Sequence, residues 1–172
     1  MSNLKTYATF VTNNAHHNLF RNGHLVEEWS SMYPMLFDSD DIRIALNQRQ
    51  RHLGYHYHEW LAAILIYHTT GLLSLIEAYA YKSHVRKRQI LETLVAGEAL
   101  DFIASKGISS AAQCPDLLVY APGGREWFFC EVKGPRDKLR EKQINFFEEL
   151  ARVSGKEIKI VHFQAASPLN PA

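Results

Sequence analysis

Residues 116–133 constrain the architecture of this chain more than any other stretch. Asp116-Leu-Leu-Val-Tyr120 and Glu126-Trp-Phe-Phe-Cys-Glu-Val-Lys133 are rich in apolar β-formers, and Pro122-Gly123-Gly124 stands between them. Two such runs around a turn predict a β-hairpin. Gly134-Pro135 breaks the second strand. Asp137 then stands where an N-cap belongs, ahead of a helix carrying Leu139, Ile144, Phe147, Leu150 and Ala151 and ended by Gly155. Glu157-Ile-Lys-Ile-Val-His-Phe163 follows as a last strand.

Upstream of the hairpin the period is helical. From His58 to about Tyr81, Leu61, Ile64, Leu65, Leu72, Leu75, Ile76 and Tyr79 recur at spacings of three and four, with Gly71 as a kink or close contact. From about His84 to Ser105, Val85, Ile90, Leu91, Leu94, Val95, Leu100 and Ile103 form the inner side of a second helix, stopped by Lys106-Gly107. The first fifty residues show scattered aromatics without a period. Their one legible element is a short helix, capped by Asp40 or Asp41, through Ile42 and Leu46 towards Arg51. Helix, helix, strand, strand, helix, strand is the order of an α/β domain with a small mixed sheet flanked by helices.

A chain of 172 residues fits one such domain, and its formal net charge of +1 announces no nucleic-acid partner by itself. Contacts to an anionic polymer would have to come from local basic clusters. Cys114 and Cys130 form neither a disulfide framework nor a zinc ribbon, which makes a reducing, cytoplasmic setting the default. No secretory signal is visible at Met1-Ser2-Asn3-Leu4-Lys5. Trp60 to Tyr81 is apolar enough to need a membrane test, but it carries His68, Thr69, Thr70, Ser74 and Glu77. A carboxylate in hydrocarbon costs roughly 2.5–3.5 kcal/mol on insertion scales, so a buried helix of a soluble protein explains the run better.

The chemistry sits on the hairpin. Alternation along a strand puts Glu131 and Lys133 on one face, and Asp116, at the start of the neighbouring strand, is brought beside Glu131 if the strand ends meet. Paired carboxylates are hard oxygen ligands suited to Mg²⁺ or Mn²⁺. With a lysine beside them they make a site able to cleave a phosphodiester by in-line attack.

Pro115-Asp116-Leu-Leu-Val-Tyr120, followed by Glu131-Val-Lys-Gly-Pro-Arg-Asp-Lys-Leu-Arg-Glu-Lys-Gln143, resembles the VRR-NUC branch of the PD-(D/E)XK nucleases. The resemblance covers about residues 113–163 and the whole motif E-V-K-G-P-x-D-x-L-x-x-x-Q, which is far more specific than a loose D…E-x-K. It implies a restriction-endonuclease-like core, a divalent metal and a DNA substrate. It further implies Asp116 and Glu131 as metal ligands, the Val132 carbonyl as a further ligand, Lys133 as the catalytic lysine and Gln143 as a motif residue near the site. An upstream acidic residue also belongs to the family pattern. Glu59 is the choice for it, with Glu77 and Glu92 as rivals. On this reading residues 1–55 are an N-terminal extension, 56–165 the nuclease domain and 166–172 a loose tail.

Two basic clusters are candidates for DNA contact: Arg86, Lys87 and Arg88, with Lys82 and His84 beside them, and Arg136, Lys138, Arg140 and Lys142 next to the motif. His52 and His56 sit four apart, but no third ligand accompanies them and zinc is not expected. Trp127 and Phe129 share the Glu131 face, where packing is the expectation rather than base stacking. The expected activity is a metal-dependent deoxyribonuclease, structure-selective or nonspecific, in DNA repair or processing or as an interbacterial toxin effector. Expected partners are duplex, branched or flap DNA, a second copy of the chain, and an immunity protein if the role is a toxin's, delivered into a target cell's cytoplasm. The rival expectation is an inactive nuclease-like module that binds nucleic acid or protein. Loss of a carboxylate or the lysine would mark such a module, and Asp116, Glu131 and Lys133 are all present.

Overall fold

A computed structural model describes residues 3–47, 53–81, 83–106 and 114–166. In chain order its elements are β1 (Leu4–Thr12), α1 (Asn14–Arg21), α2 (His24–Met32), α3 (Ser39–Ala45), α4 (Tyr57–Thr70) and β2 (Leu73–Ile76). They continue with α5 (Val85–Leu94), α6 (Glu98–Lys106), β3 (Leu117–Tyr120), β4 (Trp127–Lys133), α7 (Glu141–Ser154) and β5 (Ile158–Ala165). The predicted hairpin forms as β3 and β4, antiparallel, with Leu117 opposite Cys130 and Tyr120 opposite Trp127. Its turn closes through Gly124 N–H to the Ala121 carbonyl and Ala121 N–H to the Glu126 carbonyl, both at 2.8 Å.

The strand order is β1-β5-β4-β3-β2. β5 runs parallel to β4 and β1 parallel to β5, while β2 is antiparallel to β3. The sheet is therefore mixed and, as expected, flanked by helices in an α/β arrangement. Alternation divides β4 cleanly. Phe128, Cys130 and Val132 join Val119 and Val161 in a core shared with Phe20, Phe37 and Trp60 of the N-terminal helical region. Phe129 faces the other way, into a core with Leu91, Ile103, Phe147 and Leu150 of α5–α7. Glu131 and Lys133 share that second face with Phe129.

Three expectations are corrected. The helix predicted through Tyr81 ends at Thr70, because Gly71 takes φ 75°, a left-handed C-cap conformation open to glycine. Leu73-Ser-Leu-Ile76 then pairs with β3 as an edge strand. A short apolar run inside a helical spacing cannot be told from a buried strand by period alone. The helix predicted over His84–Ser105 is two helices, α5 and α6, because Val95 is extended and Gly97 has φ 62°. The helix after the motif begins at Glu141, and Asp137, rather than capping it, accepts a hydrogen bond from Gly134 N–H at 3.0 Å.

The N-terminal region is more ordered than its composition suggests. β1 lies at the sheet edge, and a register shift between Thr6 and Ala8 interrupts the alternation that would have betrayed it. The short helix is α3, capped by Asp38 instead of Asp40 or Asp41, with Asp41 closing the capping box. Among the described residues no helix is long and apolar enough to cross a membrane. Arg51, His52, Lys82, Gly107 and the tail from residue 167 lie outside the described residues.

Candidate active site

The pairing of Leu117 with Cys130 puts Asp116 and Glu131 next to one another at the end of the hairpin. Three hydrogen bonds fix the Pro115-Asp116 corner. Asp116 Oδ2 accepts from Val132 N–H at 2.8 Å, the Asp116 carbonyl accepts from Glu77 N–H at 2.8 Å, and Tyr79 OH donates to the Pro115 carbonyl at 2.6 Å. Glu77 is thereby carried from the end of β2 to Asp116, and Glu59 reaches the same point from the first turn of α4. One carboxylate oxygen from each of Glu59, Glu77 and Asp116 lies within 4.8 Å of the other two. They line a cavity of about 550 Å³ together with Tyr55, Cys114 and Arg140.

Burial, with the neighbouring negative charges, suppresses the ionisation of Glu59, Asp116 and Glu131. Burial, reinforced by the Glu77 charge, pushes the Glu59 carboxyl up to about 7. Burial and then the Glu131, Glu59 and Glu77 charges hold Asp116 well above the carboxylate range. Glu131 is also raised, by burial, although Lys133 opposes the shift. Burial alone would lower the His56 imidazole, but Glu77 accepts at 2.8 Å from Nδ1 and raises it. Glu131 is 1% exposed, and its Oε2 has no hydrogen-bond partner among the described residues. An all-oxygen, anionic, partly dehydrated donor set with an unsatisfied carboxylate oxygen fits a hard divalent cation such as Mg²⁺ or Mn²⁺.

The other oxygen of Glu131 is fully used. Oε1 accepts from Lys133 Nζ at 2.6 Å and from Gln143 Nε2 at 2.9 Å. Gln143 is itself held by the start of α7, where its Oε1 accepts from Arg140 N–H at 3.2 Å. Lys133, 8% exposed, is thus fixed at the centre of the site.

Residues 55–164, well over half of the chain, match the family profile of the VRR-NUC domain. This chain belongs to the VRR-NUC family. Fanconi-associated nuclease 1 of Homo sapiens is 28% identical to this VRR-NUC chain over 110 residues, which are 62% of the chain and 11% of that protein. The same enzyme of Ailuropoda melanoleuca is 26% identical over 99 residues, 55% of the chain and 10% of that protein. This VRR-NUC chain therefore spans about a tenth of the curated relatives it matches. The solved structure of paFAN1 bound to 2-nt 5′-flap DNA with a gap covers 93% of the chain and 32% of its own length, at 17% identity and a TM-score of 0.41.

The sequence motif of this VRR-NUC domain is brought together as a unit, with Asp116, Glu131, Lys133 and Gln143 all linked. Of the upstream rivals, Glu59 and Glu77 both face Asp116, whereas Glu92 is turned away and paired with Arg88 at 2.6 Å. Among the described residues, Arg86, Lys87 and Arg88 of the first basic cluster are engaged in contacts within the chain. Lys87 is 1% exposed and bonded to Asp41, which removes it from any DNA-contacting surface and corrects that expectation. Arg86 pairs with Asp38 at 2.7 Å, and His84 approaches Asp40 at 3.5 Å. Acidic partners that are remote in sequence, on and before α3, neutralise this patch. Arg136, Lys138, Arg140 and Lys142 are all exposed. Trp127 and Phe129 pack edge to face, with centroids 5.5 Å apart, in the core and beside it. Cys114 and Cys130 are free thiols. Sequence reasoning missed Tyr79 and the role of His56 toward Glu77, because each acts through one hydrogen bond that no local pattern announces.

Proposed function

We propose that this VRR-NUC domain is a Mg²⁺- or Mn²⁺-dependent deoxyribonuclease that hydrolyses the phosphodiester backbone. The observation that carries the reading is the junction of two clusters at Asp116: the Glu59–Glu77–Asp116 oxygens on one side and the hydrogen-bonded Glu131–Lys133–Gln143 group on the other. Glu59, Asp116, Glu131 and the Val132 carbonyl would hold the cation, with Glu77 as an additional carboxylate. When bound, the cation supplies Lewis-acid polarisation and a water acidified enough to attack phosphorus. Lys133 Nζ orients the attacking water and stabilises the negative charge that accumulates on the phosphate oxygens. Glu131 Oε1 and Gln143 keep that ammonium in place, and burial keeps competing water from it.

DNA as substrate is supported by the groove around the carboxylates. The catalytic cavity adjoins a smaller one bounded by Gly54, His56, His58 and Asp137, and then a third of about 620 Å³ bounded by Asn13, His17, His58, Arg136 and Gln164. Arg136 and Arg140 lie along this run, positioned for phosphate contact, with Lys138 and Lys142 beside them. So small a domain has few elements with which to read bases, which favours structure-selective or nonspecific cleavage. Such chemistry serves DNA repair and processing, and equally a toxin effector.

The test incubates the purified chain with linear, single-stranded, flap and four-way-junction DNA in Mg²⁺, Mn²⁺ or EDTA. Cleavage with either cation, abolished by EDTA and by Asp116→Ala, is expected. A gel shift without cleavage under every condition would instead identify a binding module, and cleavage that persists in EDTA would sink the metal-dependent reading.

A further inference from the structure

Lys87 is buried to 1% on α5, away from the hairpin that carries the motif. Its ammonium donates to Asp41 Oδ1 at 2.5 Å, to the Ile76 carbonyl at 2.5 Å and to the Glu77 carbonyl at 3.4 Å. Asp41, 4% exposed, is anchored in turn, because its Oδ2 accepts from Asp38 N–H at 3.0 Å in the capping box of α3. The two carbonyls held by Lys87 stand at the turn where β2 ends. There Glu77 and Ala78 adopt φ 40° and 49°, left-handed values that side chains other than glycine resist. Such a turn persists only where its surroundings over-determine it.

We infer that Lys87 and Asp41 are positioning residues for the metal site: together they clamp the Ile76–Ala78 turn so that the Glu77 carboxylate stays on Glu59 and Asp116. The inference rests on the proposed cation site. Without the ammonium, both carbonyls lose their donor and the turn relaxes toward negative φ, swinging Glu77 away from Asp116. His56 holds only the tip of the carboxylate, and the bond from Glu77 N–H to the Asp116 carbonyl holds the turn on one side only. A buried ion pair is commonly no more stabilising than apolar residues of the same volume, so a purely structural role does not require one here. Asp41 also precedes residue 55, where the family match begins. The N-terminal region thereby takes part in building the site.

The experiment titrates Mn²⁺ into the full chain without DNA, following the electron paramagnetic resonance of the free ion, for wild type, Lys87→Met/Asp41→Leu, and that double variant with Ala78→Gly added. Melting temperature is recorded alongside. The double variant, which removes the donor of two carbonyls and the acceptor of Asp38 N–H, should melt below wild type but stay folded and bind Mn²⁺ about tenfold more weakly or worse, and Ala78→Gly, by easing the turn, should recover part of the loss. Wild-type Mn²⁺ affinity in the folded double variant, or no recovery with Ala78→Gly, overturns the clamp. Should the double variant fail to fold, Lys87→Gln, which loses the charge and the reach to both carbonyls, is read by the same criterion, with unchanged Mn²⁺ affinity again overturning it. A wild-type chain that binds no Mn²⁺ defeats the metal reading itself, a distinct result.

Discussion

Gln143 spends both ends of one amide, with Nε2 on Glu131 and Oε1 on the backbone N–H of Arg140. It therefore sets the orientation of Glu131 relative to α7 while leaving the charge of the site unchanged. Gln143→Ala is expected to lower kcat about tenfold to a hundredfold with DNA affinity in EDTA unchanged, as the loss of a residue that orients a proposed metal ligand should. On the proposed mechanism Lys133→Met removes the ammonium that stabilises charge on the phosphate and should cost about a hundredfold to a thousandfold in kcat. Single-turnover cleavage at saturating Mg²⁺ checks both, and equal losses in the two variants would refute their different roles. Strand alternation and the hairpin were enough to set Asp116, Glu131 and Lys133 together, whereas Gln143 was indicated only by the family motif and joins them through its hydrogen bond to Glu131. Lys87 was misread for a physical reason. A basic run on a helix looks solvated in one dimension, and the acids that cover it, Asp38 and Asp41, lie more than forty residues upstream.

Helix ends and strand edges decide how the elements reach the site. Gly71 at φ 75° stops α4 early enough for Leu73–Ile76 to turn back and pair with β3, which is what delivers Glu77 to Asp116. A Cβ at Gly71 would meet no atom within 4 Å, so Gly71→Ala tests the backbone conformation without a steric clash. It should destabilise the fold by about 1 kcal/mol, a fall in Tm of about 2–4 °C, with the metal requirement for cleavage unchanged. Thermal denaturation and a Mg²⁺ titration of activity measure the two. The hairpin, α7 and β5 were readable because turn residues, period and a helix stop agreed at each. β1 and β2 were hidden, one by a bulge that breaks its alternation and the other by leucines whose spacing continues that of the preceding helix.

At the scale of the whole molecule, folding gathers Glu59, Glu77, Asp116 and Glu131 from α4, the end of β2, the start of β3 and β4 into one partly dehydrated place. Stability and the proposed cation binding would consequently be linked through protons. The Glu59 carboxyl, with an ordinary value of 4.5, is raised to about 7 in the fold. Between those values the folded chain keeps a proton that the unfolded chain has already lost, so stability falls as pH rises through this window. His56, also raised, loses its contribution in the same direction, while the lowered value of His58 works against it. A cation held at the carboxylates, as proposed, would favour their ionised form and the folded chain, and so would offset the loss. Without divalent cation, Tm should therefore drop on the order of 5 °C from about pH 5 to about pH 8, and millimolar Mn²⁺ should restore most of it at the higher pH. Glu59→Gln, which cannot ionise, should flatten the metal-free profile. A flat wild-type profile, or one as steep in Glu59→Gln as in wild type, would show that the carboxylate cluster does not set the pH dependence of the fold.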